Sequence, residues 1–148
     1  MTHDEVQEFI RNDVDRYIAE RIQAGDSPNE ARRMADDQMG TLFRAGKPGP
    51  GQLLFVVLDD EGSRVGILWI GPLRAETSET YWIWNVEIEE PYRRRGLGRA
   101  AMILAEEVAR AHGATKLGLN VLGHNSVARQ LYESMGYSTM AINMRKQL

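Results

Sequence analysis

The most constraining stretch of the chain is Tyr92-Arg93-Arg94-Arg95-Gly96-Leu97-Gly98-Arg99. Before it, residues 80–89 read as a strand. After it, Leu97, Ala100, Ala101, Leu104, Val108 and Ala111 recur at helical spacing as far as Gly113. A strand delivered straight into a helix start leaves several backbone N–H groups without intrahelical acceptors. Those donors and the positive end of the helix dipole favour a bound phosphate. Glycines at 96 and 98 let a pyrophosphate approach the amides of residues 94–99, and Arg93, Arg94, Arg95 and Arg99 add charge suited to further phosphates. The whole chain carries a formal net charge of −3, so four arginines within seven residues stand out against an acidic background. No Gly-Lys-Ser/Thr follows, which excludes a P-loop, and the preceding strands read as hairpins rather than the crossover of a dinucleotide fold. A glycine pair at a helix start is weak evidence by itself, and a run of charge is commonly a solvated face.

The rest of the chain supplies a frame. Thr2 and Glu5 form a capping box before Val6, Phe9, Ile10, Val14, Tyr17, Ile18 and Ile22, with Gly25 as the stop. Ser27, Pro28 and Glu30 open a second helix whose apolar face is Ala31, Met34, Ala35, Met39, Leu42 and Phe43. Residues 45–51 read as a loop, and residues 53–58 and 65–70 as a hairpin about the turn at 59–62. On the strand at 80–89, strict alternation places Trp82, Trp84, Val86 and Ile88 on one face and Tyr81, Ile83, Asn85 and Glu87 on the other. Leu117, Leu119 and Val121 alternate as a further strand. Asn125 or Ser126 caps a short helix that Gly136 stops, and a last strand is expected over residues 140–144. The predicted order is ααβββαβαβ, an α/β chain of one domain spanning 1–148.

Two motifs resemble the GCN5-related N-acetyltransferase family. Arg93-Arg94-Arg95-Gly96-Leu97-Gly98 matches the family's Arg/Gln-x-x-Gly-x-Gly/Ala turn. Asn125, Ala128, Leu131, Tyr132, Gly136 and Tyr137 match its later Asn-x-x-Ala-x-x-Leu-Tyr-x-x-x-Gly-Phe/Tyr signature. The resemblance implies a mixed, mostly antiparallel sheet, opened as a V at the family's fourth strand and flanked by about four helices. Residues 1–46 would be the acceptor-side helical pair and 52–148 the core that binds acetyl-coenzyme A. The family's usual first strand is missing or reduced to residues 1–3.

The resemblance further implies that backbone groups of Val86, Glu87 and Ile88 hold the pantetheine arm, and that the N–H near Ile88 polarises the thioester carbonyl. The amides of Arg94, Arg95, Gly96, Leu97, Gly98 and Arg99 cradle the pyrophosphate, and Asn125 touches the arm or positions the acceptor. Tyr132 returns a proton to the departing thiolate. An amine acceptor must lose a proton, and Glu87 is the leading base, with Glu89 second. Each role has a plainer rival. Tyr132 at helical spacing is also a core residue, Glu87 a solvated strand residue, and His124, a further candidate base beside Asn125, a solvated loop residue. Trp82 and Trp84 suit core or cleft wall, and Tyr17 and Glu20 are candidates to line the acceptor pocket.

Composition narrows the function. The 148 residues contain no cysteine, which excludes disulfides, thiolate metal sites and a cysteine nucleophile; no metal is expected. Net acidity argues against a nucleic-acid partner, and no apolar run approaches the ~20 residues of a membrane helix. With no secretory pattern at its start, the chain reads as cytoplasmic. The function implied is an N-acetyltransferase acting on a primary amine of a small molecule or peptide. The alternatives are a coenzyme A-binding module without catalysis and, less suited to the charge, acylation of a tRNA-linked amine. Oligomeric state stays open, with a homodimer through the last strands as the candidate.

Overall fold

The computed structural model describes residues 1–44, 46–74 and 79–146. Helix α1 (His3–Gln23) starts on the capping box: Thr2 N–H donates to Glu5 Oε2 at 2.6 Å and Glu5 N–H to Thr2 Oγ1 at 3.3 Å. No strand occupies residues 1–3. Helix α2 (Pro28–Leu42) repeats the device with Ser27 and Glu30. Of the loop read over 45–51, Ala45 lies outside the described residues. Around it, β1 (Phe43–Arg44) and β2 (Lys47–Pro48) form a two-residue antiparallel ladder that the Gly and Pro content had masked.

The main sheet has the order β3-β4-β5-β6, from β3 (Leu53–Leu58), β4 (Arg64–Pro72), β5 (Thr80–Ile88) and β6 (Lys116–Leu119). The first three strands run antiparallel, and β6 joins β5 in parallel. Between β5 and β6 lie a 3-10 turn (Glu90–Tyr92) and helix α3 (Leu97–Ala111); α4 (Ser126–Ser134) follows. The mixed α/β architecture, with four α-helices among the described residues, is as expected.

Each face of the sheet is covered. On one, Leu68, Ile70, Tyr81 and Ile83 pack against Ala101, Met102, Ala105 and Ala109 of α3. The helical row of alanines, 0–2% exposed, lets α3 lie close on the strands. On the other, Val6 and Phe9 of α1 and Leu42 of α2 close over Trp69, which is fully buried and edge-on to Phe9 with ring centroids 5.7 Å apart.

Two expectations are corrected. The alternation on β5 is broken by a bulge: Trp69 faces Asn85 while Ile70 faces Ile83, so Trp84 is an extra residue. The α3 face therefore receives Tyr81, Ile83, Val86 and Ile88, and the α1 face Trp84, Asn85 and Glu87. The strand expected over 140–144 does not form; residues 137–146 carry no secondary structure, and Met140, Ile142 and Met144 are 91%, 77% and 92% exposed. An alternating pattern specifies a strand only where a sheet edge meets it.

Candidate active site

The β5–β6 ladder joins Thr80–Ile83 to Lys116–Leu119 and stops there. From Trp84 to Ile88, β5 stays paired with β4 alone, so the parallel pair parts at the bulge. The stretch with Val86, Glu87 and Ile88 thus borders the opening.

The turn below it is built by its own side chains. Arg93 Nε donates to the Ile88 carbonyl at 2.8 Å, and the Arg95 guanidinium lies 5.9 Å from the centre of the Tyr92 ring. Arg94 holds φ at +65°, and Gly96, the residue before α3, holds φ at +80°. A Cβ at Gly96 would meet no atom within 4 Å, so its glycine serves backbone conformation rather than packing. The first intrahelical bond runs from Ala100 N–H to Gly96 O at 3.1 Å. Leu97, Gly98 and Arg99 therefore present helix-start amides without intrahelical acceptors. Arg99 Nη2 donates to Ser134 Oγ at 2.6 Å, tying α3 to α4. The donor set, an array of amides with guanidinium groups around it, fits a pyrophosphate.

Helix α4 brings the second motif to the same side of the sheet. Asn125 Oδ1 accepts from Ala128 N–H at 3.2 Å, so this side chain serves as the helix cap. Tyr132 is half-buried against the α3-side core, with its ring 6.0 Å from that of Tyr137. Burial pushes its phenol above the usual tyrosine range.

The opposite face of β5 opens into a cleft of about 330 Å³ between α1, β4 and β5. Glu87 and Glu89 line it, facing Glu5, Glu8, Asp13 and Arg16 of α1. Arg64 Nε lies 3.3 Å from Glu89, and Arg16 Nη1 lies 3.7 Å from Glu87 and 4.0 Å from Glu20. Glu20 and Tyr17 do not line this cleft. Trp84 lies between the Trp69 and Trp82 rings, at 5.9 and 6.4 Å, which makes it wall rather than an exposed platform.

Sequence reasoning missed Asp13, Arg16 and Asn85. Asp13 is 5% exposed and accepts from Asn85 Nδ2 at 2.8 Å and from Arg16 Nη2. Burial raises its pKa, against the opposing pull of Arg16 and Asn85. A signal existed: position 13 continues the core-facing row of Val6 and Phe9, where a carboxylate is costly. Among the described residues, no group of three or more His, Cys, Asp or Glu could hold a metal ion, and no helix is long and apolar enough to cross a membrane.

The structure thus combines a parted parallel strand pair, an arginine–glycine helix start below it and a separate acidic cleft across the strand. Residues 16–137 match the model of the acetyltransferase (GNAT) family, and the chain belongs to that family. The chain is 30% identical to the uncharacterized N-acetyltransferase YdgE of Bacillus subtilis over all of this chain and 95% of that one. It is 29% identical to YycN of the same organism, over all of this chain and 96% of that one. The crystal structure of YycN superposes with a TM-score of 0.89, covering 100% of this chain and 95% of that chain.

Proposed function

We propose that this protein transfers the acetyl group of acetyl-coenzyme A to a primary amine of a small molecule or peptide, directly within a ternary complex. The observation that carries the reading is the parting of β5 from β6 immediately above the helix-start amides of α3. Residues 52–148 hold the coenzyme and residues 1–46 form the acceptor side of a single domain. Acetyl-coenzyme A supplies an activated acyl group, the thioester. The backbone of Val86, Glu87 and Ile88 borders the place for its pantetheine arm. The Ile88 carbonyl is already engaged by Arg93, so the contribution of Ile88 is its N–H. The turn amides and the arginines at 93–95 and 99 take the phosphates, while Asn125 contributes by fixing the start of α4.

Glu87 takes a proton from the acceptor ammonium, directly or through water, which frees the nitrogen lone pair to bond the acyl carbon. As the carbon–sulfur bond breaks, Tyr132 gives its phenolic proton to the thiolate, and the second proton, lost by the nitrogen once it has bonded the acyl carbon, returns through water to the tyrosinate. The sequence has no cysteine to carry an acyl group, in keeping with direct transfer. Carboxylates outnumber guanidinium groups in the cleft, five (Glu5, Glu8, Asp13, Glu87, Glu89) to two (Arg16, Arg64), which favours a cationic acceptor.

Thiol release from acetyl-coenzyme A, measured against a panel of polyamines, lysine peptides and aminoglycosides, tests the reading. Amine-dependent release that falls about 100-fold in Tyr132→Phe is expected. Coenzyme binding without release across the panel would favour a non-catalytic binding module, and no coenzyme binding would overturn the reading.

A further inference from the structure

Of the buried ionisable groups that the mechanism leaves unused, Asp13 lines the cleft that holds Glu87. Asp13 is almost wholly enclosed between α1 and β5, where a carboxylate is retained at a cost that an apolar residue would avoid. Its two partners differ in kind. Asn85, the residue after the bulge, ties Asp13 to the strand that carries Glu87. Arg16, one helical turn along, gives Asp13 one end of its guanidinium and turns the other toward Glu87 and Glu20. Arg16 is only partly exposed, so the fork is held at its inner end and free to act at its outer one. We propose that Asp13 is a positioning residue for acyl transfer: by anchoring Arg16, it fixes the guanidinium beside Glu87 and holds that carboxylate at the acceptor side of the cleft.

The remaining charged groups around Glu87 do not supply this constraint. Glu20 is of like sign and shares Arg16, and Arg64 is directed to Glu89. With Asp13 neutral, Arg16 loses its inner anchor and Glu87 its fixed neighbour. The inference rests on the reading of Glu87 as the base only for its effect on rate; the linkage itself is readable without an acceptor.

The experiment follows the Glu87 carboxyl resonance in protein made with isotopically labelled glutamate, assigned by its disappearance in Glu87→Gln. Asp13→Asn is expected to displace that resonance toward its position in Arg16→Met, and to displace it no further when added to Arg16→Met. Asp13→Glu, which keeps the charge, is the second variant should the amide fail to fold; it retains the wild-type position. On the fastest amine of the panel, Asp13→Asn lowers kcat about 10-fold and leaves the KM for acetyl-coenzyme A unchanged. A Glu87 resonance unmoved by Asp13→Asn, or moved as far in the Arg16→Met background as in wild type, would overturn the proposal. Should Glu87→Gln retain the wild-type rate, the base assignment fails by itself, while the spectra still decide whether Asp13 acts on Glu87.

Discussion

Gly66 lies so close to β5 that a Cβ at this position would stand 2.1 Å from the carbonyl oxygen of Glu87. Gly66 is paired with Ile88, so the close approach sits at the edge of the opening and on the wall of the cleft. Gly66→Ala can be accommodated only by pushing β5 away from β4. The expected cost is about 3 kcal/mol, read as a lower urea midpoint with the slope unchanged. Gly40→Ala is the control: it lies inside α2 with no atom within 4 Å of the new methyl, and it should gain about 0.5–1 kcal/mol. Wild-type stability in Gly66→Ala would mean that the ladder does not close as described.

Asn85→Leu removes one of the two donors to Asp13 in a site from which water is nearly excluded. A loss of about 1–3 kcal/mol is expected at neutral pH. Burial has raised the Asp13 pKa above its unfolded value, so that this group's contribution to stability declines as pH rises through the folded pKa. Losing Asn85 moves that pKa further up and deepens the decline. The deficit of Asn85→Leu should therefore shrink as pH is lowered and Asp13 takes up its proton. A deficit that is constant with pH would show that Asn85 matters for packing and not for the charge.

Some of this was legible in the residues and some could not be. Both capping boxes, the hairpin and the turn at 93–98 are local, decided by residues within a few positions of one another, and the structure forms them where the sequence put them. The bulge is different. It is a mismatch of register between β4 and β5, and a single strand's alternation carries no record of it. The consequence is large, because it turns Asn85 toward α1 and so creates the Asp13 contact across 72 positions of sequence. The last strand failed for the opposite reason: Met140, Ile142 and Met144 alternate, but among the described residues no strand pairs with them. Glu87 was placed on β5 correctly; its neighbours Arg16 and Asp13 come from a helix whose angle to the sheet no local pattern states.

Arg94 occupies the left-handed region, at φ +65°, in the middle of the turn proposed to receive the phosphates. An L-residue there is disfavoured, and glycine removes the conflict. Arg94→Gly should raise stability by about 0.5–1 kcal/mol in thermal melts. The same variant should bind coenzyme A several-fold more weakly, with the difference narrowing as salt is added. Higher stability together with lower affinity would mark the arginine as kept for its charge. Unchanged affinity would place the phosphates elsewhere along the turn.

Asp26 holds the end of the described chain. Its carboxylate, 7% exposed, receives Arg21 from α1 on one oxygen and Arg145 from the irregular tail on the other. The hydrogen bond from Arg145, with further help from Arg21, draws its pKa below the ordinary aspartate range. A depressed folded pKa contributes stability that is present above the unfolded value near ~3.9 and is lost as pH falls through the folded one. Asp26→Asn should therefore be less stable than wild type at neutral pH and converge with it below about pH 4. Arg145→Ala should reproduce part of that difference, since Arg21 remains. At neutral pH, trypsin should cut at Arg145 faster in Asp26→Asn than in wild type, because the contact that pins the tail has gone. Equal cutting rates, with the stability difference intact, would mean that Asp26 serves the α1–α2 junction through Arg21 and that the tail rests on other contacts.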